Sequence, residues 1–560
     1  MSVKRGMMDR SLFIAGAAGE GIQTIGDVVA RAFLRLGIPV FVSQEFESRI
    51  RGGNSSVRLR VSDVPRNAPR EDADVLLALN PTARAHYEGS LCPDGLLLAS
   101  EGSEDAIPFA DLAVEHGGKI YANAVAAGSL AAAVGIPFDL LGDVLREAFA
   151  RRGEEIVAAN VAAARTGFDR AVEVLGARSA APISGNDRAY AFTSAHEVIP
   201  IAAAAAGCRF ISAYPMSPST GIITSFFRNP DLGVFAEQAE DEISAINMAL
   251  GASAAGARAM TATSGGGFAL MAEGISLAGM IETPVVVVLA QRPGPATGLP
   301  TRTAQEDLLF AIRAGHGEFP RAVLAPSDPQ EAIDLTVRAF DLADRFQIPV
   351  ILLTDQFLAD SRFAVEPLAL PAELPESRLA DPEAFSTYAR YAADDSGISP
   401  RLAFGQGGHV VCVDSDEHTA EGHITEDLET VRPAAVAKRL RKMEFLHAEM
   451  QPPDADRTDD AEIVLVGWGS TRGAIAEAVD RLRAEGRRVG ALHFTELWPL
   501  PPAELPSGVR AVTVEGNATG QLAGILRSEL RWTIDGTIGR SDGLPITADF
   551  IVRNLQEKTP

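Results

Sequence analysis

The most informative pattern in the chain is a run of small residues. From Glu242 to Ala257 most positions are Ala, Ser or Gly, with Ile243, Ile246, Met248 and Leu250 set among them. The run predicts a buried helix with Glu242 at its amino-terminal end, where the helix dipole favours a carboxylate. Ala259 to Ser264 predicts a short strand. Gly265, Gly266 and Gly267 predict a tight turn that lets backbone approach a ligand. Val285 to Ala290 is an unbroken apolar run, the signature of a parallel strand buried on both faces. Ligands gather beyond the carboxyl ends of such strands. The loops 214–221, 264–268 and 291–303 are therefore expected to converge.

The same reading orders the rest of the chain. Ser11 to Ala15 predicts a strand that enters a turn at Gly16-Ala17-Ala18-Gly19-Glu20-Gly21 and then a helix to Leu36. That turn suits a phosphate or simple tight packing, and Glu20 opposes a phosphate. Val57 to Val61 alternates as a half-buried strand, and Asp74 to Asn80 reads as another. Thr193 to Glu197 is a capping run that starts a helix. Val350 to Gln356 and Ala461 to Val466 read as buried strands. Segments 176–188 and 366–385 have linker composition. Residues 430–450, with Lys438, Arg439, Arg441 and Lys442, predict an exposed basic helix. The expected architecture is α/β, with domains at 1–175, 189–365 and 456–560 and a connector at 366–455.

Composition narrows the function. The net charge of −24 over 560 residues argues against a nucleic-acid or anionic-membrane surface. The three cysteines, Cys92, Cys208 and Cys412, are far apart, so neither an iron–sulfur cluster held by this chain nor a disulfide framework is expected. A reducing cytoplasm fits. There is no run of 18 apolar residues, and the apolar Leu12–Ala15 stretch is too short for a signal core, so neither a membrane span nor a leader is expected. His418 and His423 lie among carboxylates, but their spacing matches no tight zinc pattern and reads as a polar connector.

The motifs carry a family resemblance. Tyr214-Pro215-Met216-Ser217-Pro218-Ser219-Thr220 resembles the Tyr-Pro-Ile-Thr-Pro-Ser motif of the 2-oxoacid:ferredoxin oxidoreductases, with Ser217 at the Thr position. The stretch from Arg292 through Thr297, Arg302 and Gln305-Glu306-Asp307, and the Gly315-His316-Gly317-Glu318 loop, resemble the α subunit of the 2-oxoglutarate-type enzymes. Glu45 to Ser55, with Arg49, Arg51, Gly52 and Gly53, resembles the family's γ unit, here fused in front of the α unit. Residues 456–560 resemble its transketolase C-terminal-like domain, although Gly516 replaces an Asn of the family's Glu-Asn-Asn-x-x-Gly-Gln turn.

The resemblance implies three α/β domains: a γ-type domain, a thiamine diphosphate pyrimidine-binding domain and the transketolase-like domain. It implies Glu242 as the carboxylate on the cofactor's aminopyrimidine, favouring the imino tautomer that activates the thiazolium carbon. Tyr214, Pro215, Ser217 and Ser264 would line the cofactor. Arg292 or Arg302 would clamp the substrate carboxylate, with Thr297 and His316 beside it. Arg49 and Arg51 are candidates for the phosphates of coenzyme A. The chain has no Gly-Asp-Gly motif to hold Mg²⁺ on a diphosphate. A partner β subunit is therefore expected to carry the diphosphate, Mg²⁺ and a [4Fe–4S] cluster, in an αβ or α₂β₂ assembly. The implied reaction converts 2-oxoglutarate and coenzyme A to succinyl-CoA and CO₂ and reduces ferredoxin. Pyruvate or a broad range of 2-oxo acids is the alternative. A nucleotide-binding dehydrogenase built on residues 11–36 and a non-catalytic scaffold are the rival classes.

Overall fold

The structure is a computed structural model that describes residues 8–47, 52–101 and 106–557. It divides into two compact units, and both are α/β.

The first unit comprises the described residues up to Thr193, with Ser361–Leu368 and Thr547–Asp549. Its mixed sheet runs in the order Leu91–Ala99, Ala73–Ala78, Asp9–Ala18, Gly52–Ser62, Val40–Glu45, Arg362–Val365, Ala191–Thr193. The last two strands lie within the 189–365 span read from the sequence as the second domain, and they pair in this sheet. Gly52–Ser62 is a central strand covered on both faces, not a half-buried one. Even Arg60 is buried, and it donates to both carboxylate oxygens of Asp9 at 2.9 and 2.6 Å. The first strand runs on through Ala18, so the glycine turn is shorter than expected. Glu20 Oε2 accepts the Ala17 N–H at 2.8 Å and an Asn80 amide hydrogen at 2.7 Å. The carboxylate thus takes a backbone donor that a phosphate would need.

The second unit holds two sheets. The larger has the order Glu496–Trp498, Ala322–Leu324, Pro349–Asp355, Val285–Gln291, Arg258–Thr263, Cys208–Ala213, Phe235–Gln238, and all its pairings but the first are parallel. Every residue of Val285–Gln291 is buried, as its apolar run predicts. The smaller sheet, Asp454–Asp456, Val489–Phe494, Ile463–Trp468, Arg510–Glu515 and Gly536–Gly539, shares one hydrophobic core with the larger. Trp468, Phe494 and Leu522 pack in the same cluster as Phe268, Val287 and Leu353.

Helix Val431–Glu449 is not the exposed basic helix expected from its charges. Arg439 and Lys442 are buried. Lys438 and Lys442 both pair with the buried Glu282. Arg439 makes a two-pronged bridge to Glu417 at 3.0 and 3.1 Å. The connector between the sheets is short of regular structure but is pinned in the same way. Arg390 donates to the Glu282 carbonyl at 2.6 Å, and Arg401 and Arg258 share the buried Asp344. Burial pushes the Glu282 carboxyl up, but Lys442, Lys438 and Arg390 outweigh it and hold it at about 2. Cations sequestered this way depend on their carboxylate. Glu282→Ala should therefore cost about 3–5 kcal/mol, read as an earlier urea midpoint, and Lys442→Met, which leaves Lys438 on Glu282, should cost less.

Candidate active site

The strands Cys208–Ala213, Arg258–Thr263, Val285–Gln291 and Pro349–Asp355 lie side by side and parallel, so their carboxyl ends open on one edge of the larger sheet. The first three lead into the loops singled out from the sequence.

Glu242 begins helix Glu242–Ala254. The Asp241 side chain accepts the Ser244 N–H at 2.7 Å and caps the helix, which fixes Glu242 in the first turn. Glu242 is 2% exposed, and burial pushes its carboxyl above the usual carboxylate range. The Thr263 hydroxyl donates to it at 3.5 Å, the outer limit of a hydrogen bond. The glycines 265–267 are not a turn. They form the first turn of helix Gly265–Leu270, and Ser264 stands at its cap position. What glycine supplies here is space: a Cβ on Gly267 would lie 2.3 Å from Glu242 Oε1 and 2.1 Å from Thr263 Oγ1. Ser264 is fully buried, and its hydroxyl has no hydrogen-bond partner among the described residues.

On the other side of the glycines lies Asp307, a residue to which the sequence pattern assigns no role. A Cβ on Gly265 would lie 2.6 Å from Asp307 Oδ2. That oxygen is shut off from solvent and lacks a hydrogen-bond partner among the described residues. Burial, reinforced by Glu306, pushes the Asp307 carboxyl up to about 6 against the pull of Arg292. The Asp307 N–H donates to Gln291 at 3.0 Å, and Gly294 N–H donates to Glu306 at 2.9 Å. The Arg292 guanidinium donates to the Ser217 carbonyl at 2.7 Å. Glu242 and Asp307 thus stand on either side of the glycine-led start of helix Gly265–Leu270, capped by Ser264, while Arg292 is tied to Ser217.

Other expected residues fall around or away from it. Tyr214 is 39% exposed and Pro215 half-buried, both in the loop that carries Ser217. Thr297 is exposed on the 292–307 loop. Arg302 packs against Gly543, where a Cβ would lie 3.0 Å from the Arg302 Cβ. His316 is held elsewhere: its N–H donates to Ser276 at 2.7 Å, and it lines a cavity of about 320 Å³ with Glu273, Phe319, Arg432 and Arg439. None of the residues 214–221, 264–268 or 291–303 lines that cavity. Arg49 and Arg51 lie outside the described residues.

The 303–309 loop is clamped by the smaller sheet. Gln305 exchanges backbone and side-chain hydrogen bonds with Gly516 at 2.7 and 2.9 Å, and its side chain donates to the Trp468 carbonyl at 3.0 Å. Asn517 donates to the Gln305 carbonyl at 3.0 Å, and Gln521 bridges Glu306 and Leu309 at 2.6 and 2.9 Å. Gly516 serves through its backbone, so the Asn it replaces is not needed for this contact.

Comparison with known proteins agrees with this layout. Residues 201–436 match the family model described as pyruvate flavodoxin/ferredoxin oxidoreductase, thiamine diP-bdg. Residues 11–170 match that of pyruvate ferredoxin/flavodoxin oxidoreductase, and 461–544 match core domain II of pyruvate:ferredoxin oxidoreductase. The alpha subunit of 2-oxoacid:ferredoxin oxidoreductase 2 from Aeropyrum pernix is 32% identical, over 96% of this chain and 96% of its own. The chain belongs to the 2-oxoacid:ferredoxin oxidoreductase alpha subunits. Within this family, the 2-oxoglutarate oxidoreductase subunit KorA of Mycobacterium tuberculosis is 30% identical over 97% of this chain and 90% of its own. A solved 2-oxoglutarate:ferredoxin oxidoreductase from Magnetococcus marinus, with 2-oxoglutarate, coenzyme A and succinyl-CoA bound, superposes with a TM-score of 0.91. That structure is 32% identical and is matched over 98% of this chain and 99% of its own.

Glu242 lies inside the thiamine diphosphate-binding match, and a Cβ on Gly267 would press on its carboxyl. Gly267→Ala should lower turnover of the assembled oxidoreductase by about a hundredfold, as expected for ångström-scale displacement of a site group. Gly266→Ala is the control, because a Cβ there meets nothing nearer than the Ala296 carbonyl at 3.9 Å. Viologen reduction, with far-UV circular dichroism unchanged in both variants, checks this.

Proposed function

We propose that this alpha subunit belongs to an enzyme that converts 2-oxoglutarate and coenzyme A to succinyl-CoA and CO₂ and passes the electrons to ferredoxin, and that it works only with a β subunit. The observation that carries the reading is Glu242. A buried carboxyl with raised proton affinity and a long hydrogen bond is suited to share a proton with a ring nitrogen. The residues therefore fit the pyrimidine half of thiamine diphosphate. That group, when bound, supplies an acidic thiazolium carbon that attacks a 2-oxo group and accepts its electrons. Glu242 would hold the proton on the pyrimidine side, and Ser264 and the 214–217 loop would bound the ring. Arg292 would clamp the substrate carboxylate. It is preferred over Arg302 because it is the one tied to Ser217.

The choice of 2-oxoglutarate rests on relatives and a solved structure named for it. Relatives named only for 2-oxo acids favour the second reading, pyruvate or a broad range. Mg²⁺ and an iron–sulfur cluster are assigned to the β subunit. In support, burial pushes the thiols of Cys208 and Cys92 up to about 12 and about 11, which disfavours them as thiolate ligands.

In the complex with its β partner, viologen reduction should require 2-oxoglutarate and coenzyme A. Reduction with pyruvate alone would move the substrate to the second reading. Glu242→Gln should lower kcat by about a hundredfold or more with assembly intact, and a fully active variant would remove Glu242 from the mechanism.

A further inference from the structure

Helices Ile22–Arg35, Ala122–Val134, Phe138–Phe149 and Glu154–Leu175 of the first unit enclose a cavity of about 300 Å³, and no residue of the proposed reaction lines it. Its floor is aliphatic and buried, with Ile25 and Val28 from the first of these helices, Ala124 and Ala127 from the second and Leu145 from the third. Tyr121 and Phe149 add aromatic surface. Thr24 and Ile120, both exposed, mark the mouth, and Ile120 is 83% exposed.

The hollow follows from how the helices pack. Gly128 and Gly167 let helices Ala122–Val134 and Glu154–Leu175 meet backbone to backbone. A Cβ on Gly128 would lie 1.9 Å from the Ala164 carbonyl oxygen, and one on Gly167 2.0 Å from that of Val125. With that spacing fixed, the short side chains of Ala124 and Ala127 leave the space before Ile25, Val28 and Leu145 unfilled. Protein interiors keep few voids larger than a water molecule, because apolar walls with no facing atoms lose their dispersion contacts. A space of this size falls at the small end of ligand pockets, which run from about 300 to 1,000 Å³.

Charge selects the occupant. Among the described residues lining the cavity Arg152 alone is charged, and it has no ion pair or hydrogen bond among the described residues. Glu154 and Glu155 begin the next helix and do not line the cavity. The amide of Asn160, also on the lining, is taken by the Ile156 carbonyl at 2.8 Å. An occupant therefore needs an apolar body for the floor and one anionic group for a guanidinium. We propose that this cavity binds a small carboxylate with an apolar body, a medium-chain acyl acid, with its hydrocarbon against Ile25, Val28, Ala127 and Leu145 and its carboxylate on Arg152. Such binding needs no turnover and is independent of the reaction proposed above.

Octanoate titrated by calorimetry into the full chain, in complex with its β partner, should bind saturably. Hexanoate should bind about tenfold more weakly for the loss of two methylenes. Arg152→Gln should weaken octanoate by about tenfold, and Ala127→Leu, which fills the floor, should abolish its binding. If Ala127→Leu fails to assemble, Thr24→Trp at the exposed rim covers the mouth and should have the same effect. No saturable binding of octanoate, or wild-type affinity in the variant that blocks the cavity, overturns the proposal. Unchanged affinity in Arg152→Gln also overturns it, because the carboxylate would then have no partner in the site. Coenzyme A added to the octanoate complex is the remaining arm. Octanoate that stays bound supports the proposal, whereas displacement assigns the cavity to the coenzyme and overturns it.

Discussion

A carboxylate with no opposing charge sits at the start of helix Glu242–Ala254, and the site is shaped by what keeps it there. Burial favours its neutral form, and the helix amino terminus offsets part of that bias. A salt bridge would hold the carboxyl ionised, and the surroundings are small and weakly polar instead. Thr263 reaches it only at 3.5 Å, and Gly267 offers no side chain. The Ala, Ser and Gly run behind Glu242 serves the same end, letting that helix pack closely against strands Cys208–Ala213 and Arg258–Thr263, as the bond from Ser212 to the Ala245 carbonyl at 2.6 Å shows.

Strand Val285–Gln291 connects this site to the part of the unit that is charged and fixed. Just before it stands Glu282, paired with Lys438 and the buried Lys442. Just after it stands Arg292. The opposite ends of one buried strand therefore use charge in opposite ways. At the amino end, the ion pairs to Glu282 hold an irregular connector where backbone ladders are scarce. At the carboxyl end, Glu242, Arg292 and Asp307 have incomplete partnerships, which is the state expected of groups that meet a ligand.

Much of this was legible in the sequence, and the failures have physical causes. Strand Val285–Gln291 and helix Glu242–Ala254 follow from local patterns, because burial on all sides leaves an unmistakable composition. The basic helix Val431–Glu449 misleads because a lysine paired with a distant glutamate has the same local pattern as a solvated one. Glycines 265–267 mislead for a related reason. Glycine signals either a positive φ or a close approach, and only the contacts to Glu242 and Asp307 show that it is the second. His316 resembles a site residue by its flanking glycines, yet Ser276 anchors it in a cavity that excludes the three loops. Asp307 was overlooked because nothing local marks a carboxylate whose environment is assembled from three separate strand ends.

That last point explains why the smaller sheet belongs to the site although it contributes no side chain to the Glu242 pocket. The 303–309 loop has little structure of its own, and a carboxylate such as Asp307 would be drawn toward solvent on a free loop. Gln305, Asn517 and Gln521 prevent this with hydrogen bonds that are mostly to backbone, so they fix the path of the chain rather than one rotamer. Asn517 is itself held by Glu515, a buried carboxylate that also accepts the Leu522 and Ala523 N–H groups at the start of helix Gln521–Glu529. The chain of support runs from a helix amino terminus through Glu515 and Asn517 to the loop, and through the loop to Asp307. Glu515 and Asp307 are both largely buried, but one has its hydrogen bonds filled and the other does not. The filled one makes the scaffold rigid enough for the unfilled one to remain in place.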